Sequence, residues 1–245
     1  MGQVPKKLFP YLIVGKGRLA NHFKHYFSLL KIPHLNWFRN YDTPFNKLYN
    51  KAEKILVLIN DDDIEYFINT YKKDDKKIWI HCSGMLSTPL AESAHPLMTF
   101  ADKLYDRETY EQITFVTEKE KLPFTKLFPE LNNRNFAIPA EKKPLYHAWC
   151  VISGNYTTLL WKWFFEELEG KFGIKPDAAH LYLKQIAENL TAISAPLTGP
   201  LARNDMNVIE KHLNELEGEP FKQVYEAFVQ AYTTLHERET KRDNK

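Results

Sequence analysis

Glycine is scarce in this 245-residue chain, with nine in all where average usage would supply roughly 17. That shortage excludes a collagen-like chain, and it implies that each glycine present is placed for a structural reason. Cysteine is scarcer still. Cys82 and Cys150 are the only two; both sit in apolar runs without CxxC or metal-ligand spacing. A disulfide scaffold and a zinc site are therefore excluded, and two buried free thiols in a reducing compartment are expected. A surplus of one charge is also missing, since 33 Lys and Arg face 31 Asp and Glu, a net +2. A dedicated nucleic-acid binder would carry a basic excess. No apolar run approaches the roughly 18 residues needed to span a bilayer. The segment Met1–Lys6 lacks the apolar core of a signal peptide. A cytoplasmic protein with neither membrane nor nucleic acid as partner is the expectation.

What is present is ordinary globular material, 44% hydrophobic and 26% charged, long enough for one large domain or two small ones. The first half alternates strand and helix patterns. Tyr11–Val14, His34–Phe38, Lys54–Ile59, Lys77–Cys82 and Ile113–Thr117 read as strands. Between them, Leu19–Leu30 and Asp62–Tyr71 carry helical spacing. Such alternation predicts a doubly wound parallel sheet. After Ile138-Pro139-Ala140 the texture changes. A long helical pattern from about Pro144 to Phe172 is followed by a helix opened by Pro176 and running to about Ile193. Two more follow, near Asp205–Leu216 and Pro220–Glu239. The predicted architecture is α/β: a Rossmann-type domain over residues 1–140, then an all-helical domain over residues 141–245. Residues 1–140 hold 20 basic against 16 acidic side chains, a mildly positive half suited to an anionic ligand.

Gly15-Lys16-Gly17-Arg18-Leu19-Ala20 follows the first strand and opens the first helix. This is the G-x-G-x-x-A pattern of a dinucleotide turn. Gly15 allows the tight turn, Gly17 lets backbone approach a pyrophosphate, Ala20 keeps the helix close to the sheet, and the helix N-terminus presents free N–H groups to the anion. A tight strand–helix turn without a ligand is the bland alternative. At the end of the second strand, where an NAD site would carry Asp or Glu, stands Phe38-Arg39-Asn40. Arg39 favours a 2′-phosphate and hence NADP, unless it is simply a solvated surface arginine.

Ligands of such sheets lie beyond the carboxyl ends of the strands. Asn60-Asp61, His81-Cys82-Ser83-Gly84 and His95-Pro96 fall there. Asn60, Ser83 and Gly84 are candidate cofactor contacts, while Ser83 and His95 are candidate substrate contacts. On the long helix, His147 and Asn155 are eight positions apart. At about 100° per residue that is about 800°, leaving both in one quadrant. Gly154 beside Asn155 suggests close packing or close ligand approach, whereas Tyr146 and Trp149 read as core.

These residues, together with Ala94–Phe100 and Leu197-Thr198-Gly199-Pro200-Leu201-Ala202-Arg203-Asn204-Asp205, resemble the Rossmann-like plus DUF2520 oxidoreductases. The resemblance covers nearly the whole chain, and the Leu-Thr-Gly-Pro-x-x-Arg-x-Asp stretch is its most specific part. It implies kinship with pyrroline-5-carboxylate reductase, ketopantoate reductase and the β-hydroxyacid dehydrogenases. One branch is similar to an alternative ketopantoate reductase of pantothenate synthesis. The resemblance implies an NADP-dependent reductase of a small 2-oxo acid, with 2-dehydropantoate the leading substrate. In ordinary ketopantoate reductases a helix carries a catalytic Lys, with Asn eight residues later. His147 and Asn155 share that separation, which makes His147 the implied proton donor. A histidine ordinarily titrates near 6.5. A neighbouring acid or the substrate carboxylate therefore has to favour its cation, or Lys143, one turn earlier, donates instead. Thr198 and Arg203 become candidate substrate contacts, and Asp205 a helix cap. A cyclic-imine reductase and a non-catalytic NADP-binding protein remain as alternatives. A homodimer through the C-terminal helices is expected.

Overall fold

A computed structural model describes residues 9–73, 76–192 and 197–243. Seven strands form one sheet: β1 (Phe9–Val14), β2 (His34–Trp37), β3 (Ala52–Val57), β4 (Ile78–His81), β5 (Glu92–Pro96), β6 (Phe115–Glu118) and β7 (Asn135–Ile138). Their spatial order is β2-β1-β3-β4-β5-β6-β7. Helices α1 (Arg18–Leu29), α2 (Phe45–Tyr49), α3 (Asp61–Tyr71), α4 (Arg107–Gln112) and α5 (Phe124–Leu127) connect them. The strand order turns at β1 and β3, the switch point where open α/β sheets place their ligands.

Alternation along the strands sorts the core onto two faces. Tyr11, Ile13, Leu56 and Ile80 pack with Phe23 and Phe27 of α1 and with Phe115, Phe124 and Phe128. On the other face, Leu12, Val14, Ile55, Val57 and Trp79 pack against Phe45, Ile64 and Ile68. Both faces of the central strands are thus covered, which explains why Lys54–Ile59 reads as a continuous apolar run. Each fully buried Leu, Ile or Phe contributes roughly 1.5–3 kcal/mol. Helix α1 buries Ala20, Phe23, Tyr26 and Phe27, the spacing of one helical face. It also buries His22, whose Nε2 lies 2.8 Å from the Ala101 carbonyl and whose Nδ1 lies 2.7 Å from the Tyr110 hydroxyl. This imidazole ties the segment that follows β5 to α1.

The sheet is not wholly parallel as expected. β5 pairs with β6 in antiparallel fashion, with His95 opposite Val116, while the other neighbouring pairs run parallel. Strands β5 and β7 escape the periodicity argument because they are short and carry Pro96 or the exposed Phe136.

Beyond the sheet come α6 (Lys143–Cys150), a π-helical stretch Val151–Tyr156, and α7 (Thr157–Phe172). The single helix expected over 144–172 therefore exists but is wound differently at its middle. Further helices are α8 (His180–Thr191), α9 (Met206–Glu215) and α10 (Lys222–Asp243). Residue 193, where α8 was expected to end, lies outside the described residues. Among the described residues no strand follows β7. The chain divides into two compact units, Met1–Phe164 and Phe165–Lys245. The change of texture near residue 140 and this division differ because α6 packs onto the sheet. No helix among the described residues is long and apolar enough to cross a membrane.

Candidate active site

Gly15 sits at φ +131°, a conformation that side-chain-bearing residues avoid. A Cβ there would also overlap the Leu58 carbonyl oxygen. Its N–H donates to the Trp37 carbonyl at 2.8 Å, which binds the turn to the end of β2. Ala20 is buried behind it, while Lys16, Gly17 and Arg18 are exposed. Gly17 is the N-cap of α1, with no side-chain cap and no acidic residue in the first turn. The first N–H groups of α1 are thereby left for an external acceptor. Lys16 Nζ stands 5.8 Å above the Phe38 ring, so the turn and the Phe38-Arg39-Asn40 end of β2 are neighbours. Arg39 is exposed and Asn40 adopts φ +68°. Asn60 is the exposed N-cap of α3 and makes no side-chain cap bond.

At the end of β4 the chain turns on Ser83. Its hydroxyl donates to Asp61 in α3 and accepts from the N–H groups of Met85 at 3.2 Å and Leu86 at 2.9 Å. That hydroxyl is fully engaged in shaping the turn, so a direct ligand contact would require it to leave these partners. Gly84 comes next. A Cβ at Gly84 would overlap the His147 ring and lie 3.1 Å from Cδ2 of His95. Gly84, a candidate cofactor contact by sequence, is thus closely approached by two imidazoles. Those rings stand 5.8 Å apart at 85°.

Lys143 positions this pair. It is 3% exposed, and its ammonium donates to the Leu86 carbonyl, to Ser93 Oγ at 2.6 Å and to Glu118 Oε1 at 2.9 Å. All three N–H groups are satisfied. The other Glu118 oxygen accepts from Ser87 at 2.8 Å. Lys143 is the rival proton donor on sequence grounds, yet the structure holds it inside a buried ion pair. Burial lowers its pKa, opposed by Glu118. Four residues of α6 rise about 6 Å, and two residues of β5 rise about 6.6 Å. With Lys143 fixed at Ser93, His147 therefore arrives at His95.

The neighbouring histidines are kept neutral. Burial, with the Lys143 and Lys121 charges adding to it, pushes His81 down to about 3. His81 Nδ1 accepts from the Ser83 N–H at 3.2 Å, and its buried Nε2 has no partner. Burial, then the His147 and Lys143 charges, pushes His95 down to about 4. His95 Nδ1 lies 2.9 Å from the Tyr146 hydroxyl. Tyr146 is thus a site neighbour and not simple core, a contact that only the β5–α6 packing reveals. Trp149, also expected in the core, is 60% exposed. Cys82 is buried as expected, but Cys150 is half-buried; both are free. Among the described residues there is no His, Cys, Asp and Glu group suited to a metal ion.

Asn155 is exposed within the π-helical stretch. Because i→i+5 bonding advances only roughly 80–85° per residue, the path from His147 to Asn155 sums to roughly 720–740°, close to two whole turns. The two side chains are therefore better aligned than on a regular helix. Gly154 has no protein atom within 4 Å of an added Cβ among the described residues, so no packing in the chain explains it. Thr198 and Arg203 are exposed residues of the second unit. Gly199 accepts from the Arg203 N–H at 3.2 Å, and Asp205 caps α9 through the Val208 N–H at 3.3 Å.

A Rossmann-type domain with a histidine pair at its strand ends, continued by helices, is the class that fold and site define. Residues 113–232 match the family model described as a domain of unknown function, DUF2520. Among solved structures the chain is similar to a Bacteroides fragilis protein provisionally described as an NADP oxidoreductase. Identity is 20%, coverage is 92% of this chain and 98% of that one, and the TM-score is 0.72. It is similar to protein TM1727 from Thermotoga maritima at 28% identity, over 94% of this chain and 99% of that one, with a TM-score of 0.71. It is also similar in fold to NADP-bound pyrroline carboxylate reductase from Plasmodium falciparum. That match has 14% identity, 91% and 96% coverage and a TM-score of 0.57. No curated protein matches the chain.

Removing Lys143 leaves Glu118 buried without its cation. Lys143→Ala is expected to cost about 3–5 kcal/mol in urea unfolding, and the double variant Lys143→Met/Glu118→Leu is expected to recover most of it. The neutral histidines also set a pH dependence. In the unfolded chain His81 and His95 take up protons near 6.5, while in the folded protein they do so only near 3 and 4. Between these values only the unfolded chain gains protons. Stability therefore falls as pH drops below about 6.5, by up to about 1.4 kcal/mol per pH unit for each histidine. Urea midpoints at pH 7 and pH 5 measure this, and equal midpoints would contradict the neutral assignment.

Proposed function

We propose that the protein is an NADPH-dependent reductase of a small 2-oxo acid, with 2-dehydropantoate reduced to pantoate as the leading reaction. The observation that carries this is the His147–His95 pair packed around Gly84 at the same strand ends as the uncapped Gly15–Ala20 turn. The residues fit the dinucleotide. The open N-terminus of α1 suits a pyrophosphate, and Lys16 beside the Phe38-Arg39 strand end suits a 2′-phosphate. When bound there, NADPH would supply the hydride that the oxo carbon takes up. His147 donates a proton to the oxygen that gains charge, a transfer typically worth about 10²–10⁴-fold, and the product is the 2-hydroxy acid. Asn155, aligned with His147, orients the substrate.

A second reading, reduction of a cyclic imine, is favoured by the pyrroline carboxylate reductase likeness and by the fold shared with a reductive aminase from Aspergillus terreus. Side-by-side assays of 2-dehydropantoate and pyrroline-5-carboxylate with NADPH and NADH separate the two. NADPH oxidation with the oxo acid is expected, and His147→Ala is expected to lower kcat by at least about 100-fold. Full activity in that variant would remove His147 from the chemistry. Absence of turnover with every 2-oxo acid and imine would leave a nucleotide-binding protein.

We also propose a homodimer. Leu145, Trp149, Ile152 and Tyr156 are each 43–60% exposed and recur at spacings of four, three and four. They form a continuous apolar stripe of the kind that a second copy covers. On the helix Leu145 and Trp149 of this stripe lie opposite His147, so covering them leaves the site open. Light scattering is expected to give twice the chain mass, and Trp149→Glu is expected to give the monomer.

A further inference from the structure

Tyr146 precedes His147 on α6, yet its hydroxyl turns to a different partner. Its oxygen lies 2.9 Å from His95 Nδ1, with the two rings 5.6 Å apart at 82°. The phenol has one proton and two acceptors within reach, His95 Nδ1 and the Cys150 sulfur one turn further along α6. An imidazole nitrogen accepts well and a thiol sulfur weakly, so the phenolic proton goes to Nδ1. Burial, reinforced by Cys150, raises the Tyr146 pKa, so the hydroxyl remains a donor at neutral pH. A neutral imidazole that accepts at Nδ1 carries its hydrogen on Nε2. Among the described residues Tyr146 is the one hydrogen-bond partner of this ring. The Cδ2 edge, adjacent to Nε2, faces the Gly84 backbone that the His147 ring also touches.

We propose that Tyr146 is a positioning residue whose hydroxyl locks His95 in the neutral Nε2–H tautomer. His95 thereby becomes a fixed, uncharged donor to an oxygen of the oxo-acid substrate beside His147. The two histidines then divide the work: His147 gives up a proton, while His95 binds without competing to supply one. The substrate half of this inference rests on the reductase reading, whereas the tautomer half does not.

Long-range proton–nitrogen spectra of the full chain, labelled at histidine nitrogens, test it at pH 7, with His95→Gln to assign the signals. In the wild type, His95 is expected to show an unprotonated Nδ1 and a protonated Nε2. In Tyr146→Phe the two nitrogens are expected to shift toward each other as the tautomers exchange. With NADPH and 2-dehydropantoate, the same variant is expected to raise KM about tenfold, the effect of one lost hydrogen bond, with kcat within about threefold. A wild-type proton on Nδ1, protons on both nitrogens, or an unchanged spectrum in Tyr146→Phe overturns the proposal. No turnover by the wild type overturns the reductase reading and the substrate role with it, and the spectrum alone then decides the tautomer.

Discussion

The buried ion pair between Lys143 and Glu118 fixes the candidate site. Placing an ammonium and a carboxylate at 3% and 1% exposure carries a large desolvation cost, and Coulomb attraction offsets it only when the remaining hydrogen-bonding capacity is used. Here it is used: the lysine satisfies three acceptors and the glutamate also takes the Ser87 hydroxyl. The partners come from the β4–β5 turn, β5, β6 and α6, so one charge joins four segments distant in sequence. An apolar pair of similar volume could hold these segments equally well in free energy. It would lose the direction that three N–H bonds impose on α6, and it is this direction that delivers His147 to the level of His95.

The same ammonium shapes the electrostatics above it. Burial keeps His81 and His95 neutral, and the Lys143 charge adds to that effect at both rings. Sites that separate acid and binding roles commonly do so by giving similar groups different environments. Lys143, engaged with three acceptors, reinforces with its charge the neutrality that burial imposes on His81 and His95.

The tight strand–helix turn was legible in the sequence because all its requirements are local: an apolar strand, Gly15 at a positive φ, Ala20 on the buried face of the next helix. The alternating sheet was legible for the same reason. What escaped depends on contacts between remote segments. Glu118 is 25 residues from Lys143 and sits in a strand of four residues, so no spacing rule joins them. β5 offers only Glu92–Pro96, too short for alternation to register, yet it supplies both Ser93 and His95. Ser83 and Gly84, candidate ligand contacts by sequence, meet protein groups in the structure: Asp61 at the hydroxyl and two imidazoles around the missing Cβ. Trp149 failed as a core residue because helical periodicity identifies an apolar face without identifying what covers it.

That ambiguity is resolved by considering how one helix can serve two surfaces. From Lys143 to Tyr156 the chain holds His147 against the Gly84 turn and leaves Leu145, Trp149, Ile152 and Tyr156 exposed. A regular α-helix leaves Asn155 about 80° from His147, halfway toward the apolar stripe. The π-helical stretch Val151–Tyr156 takes up that difference, because each of its residues turns the chain less. Apolar side chains spread over a broad arc tolerate the slower winding, which brings His147 and Asn155, the two groups proposed to share a substrate, closer to one line. Gly154 lies within the stretch, and among the described residues no protein atom is close enough to need its small size. The helix trades regularity in its middle for alignment at the site.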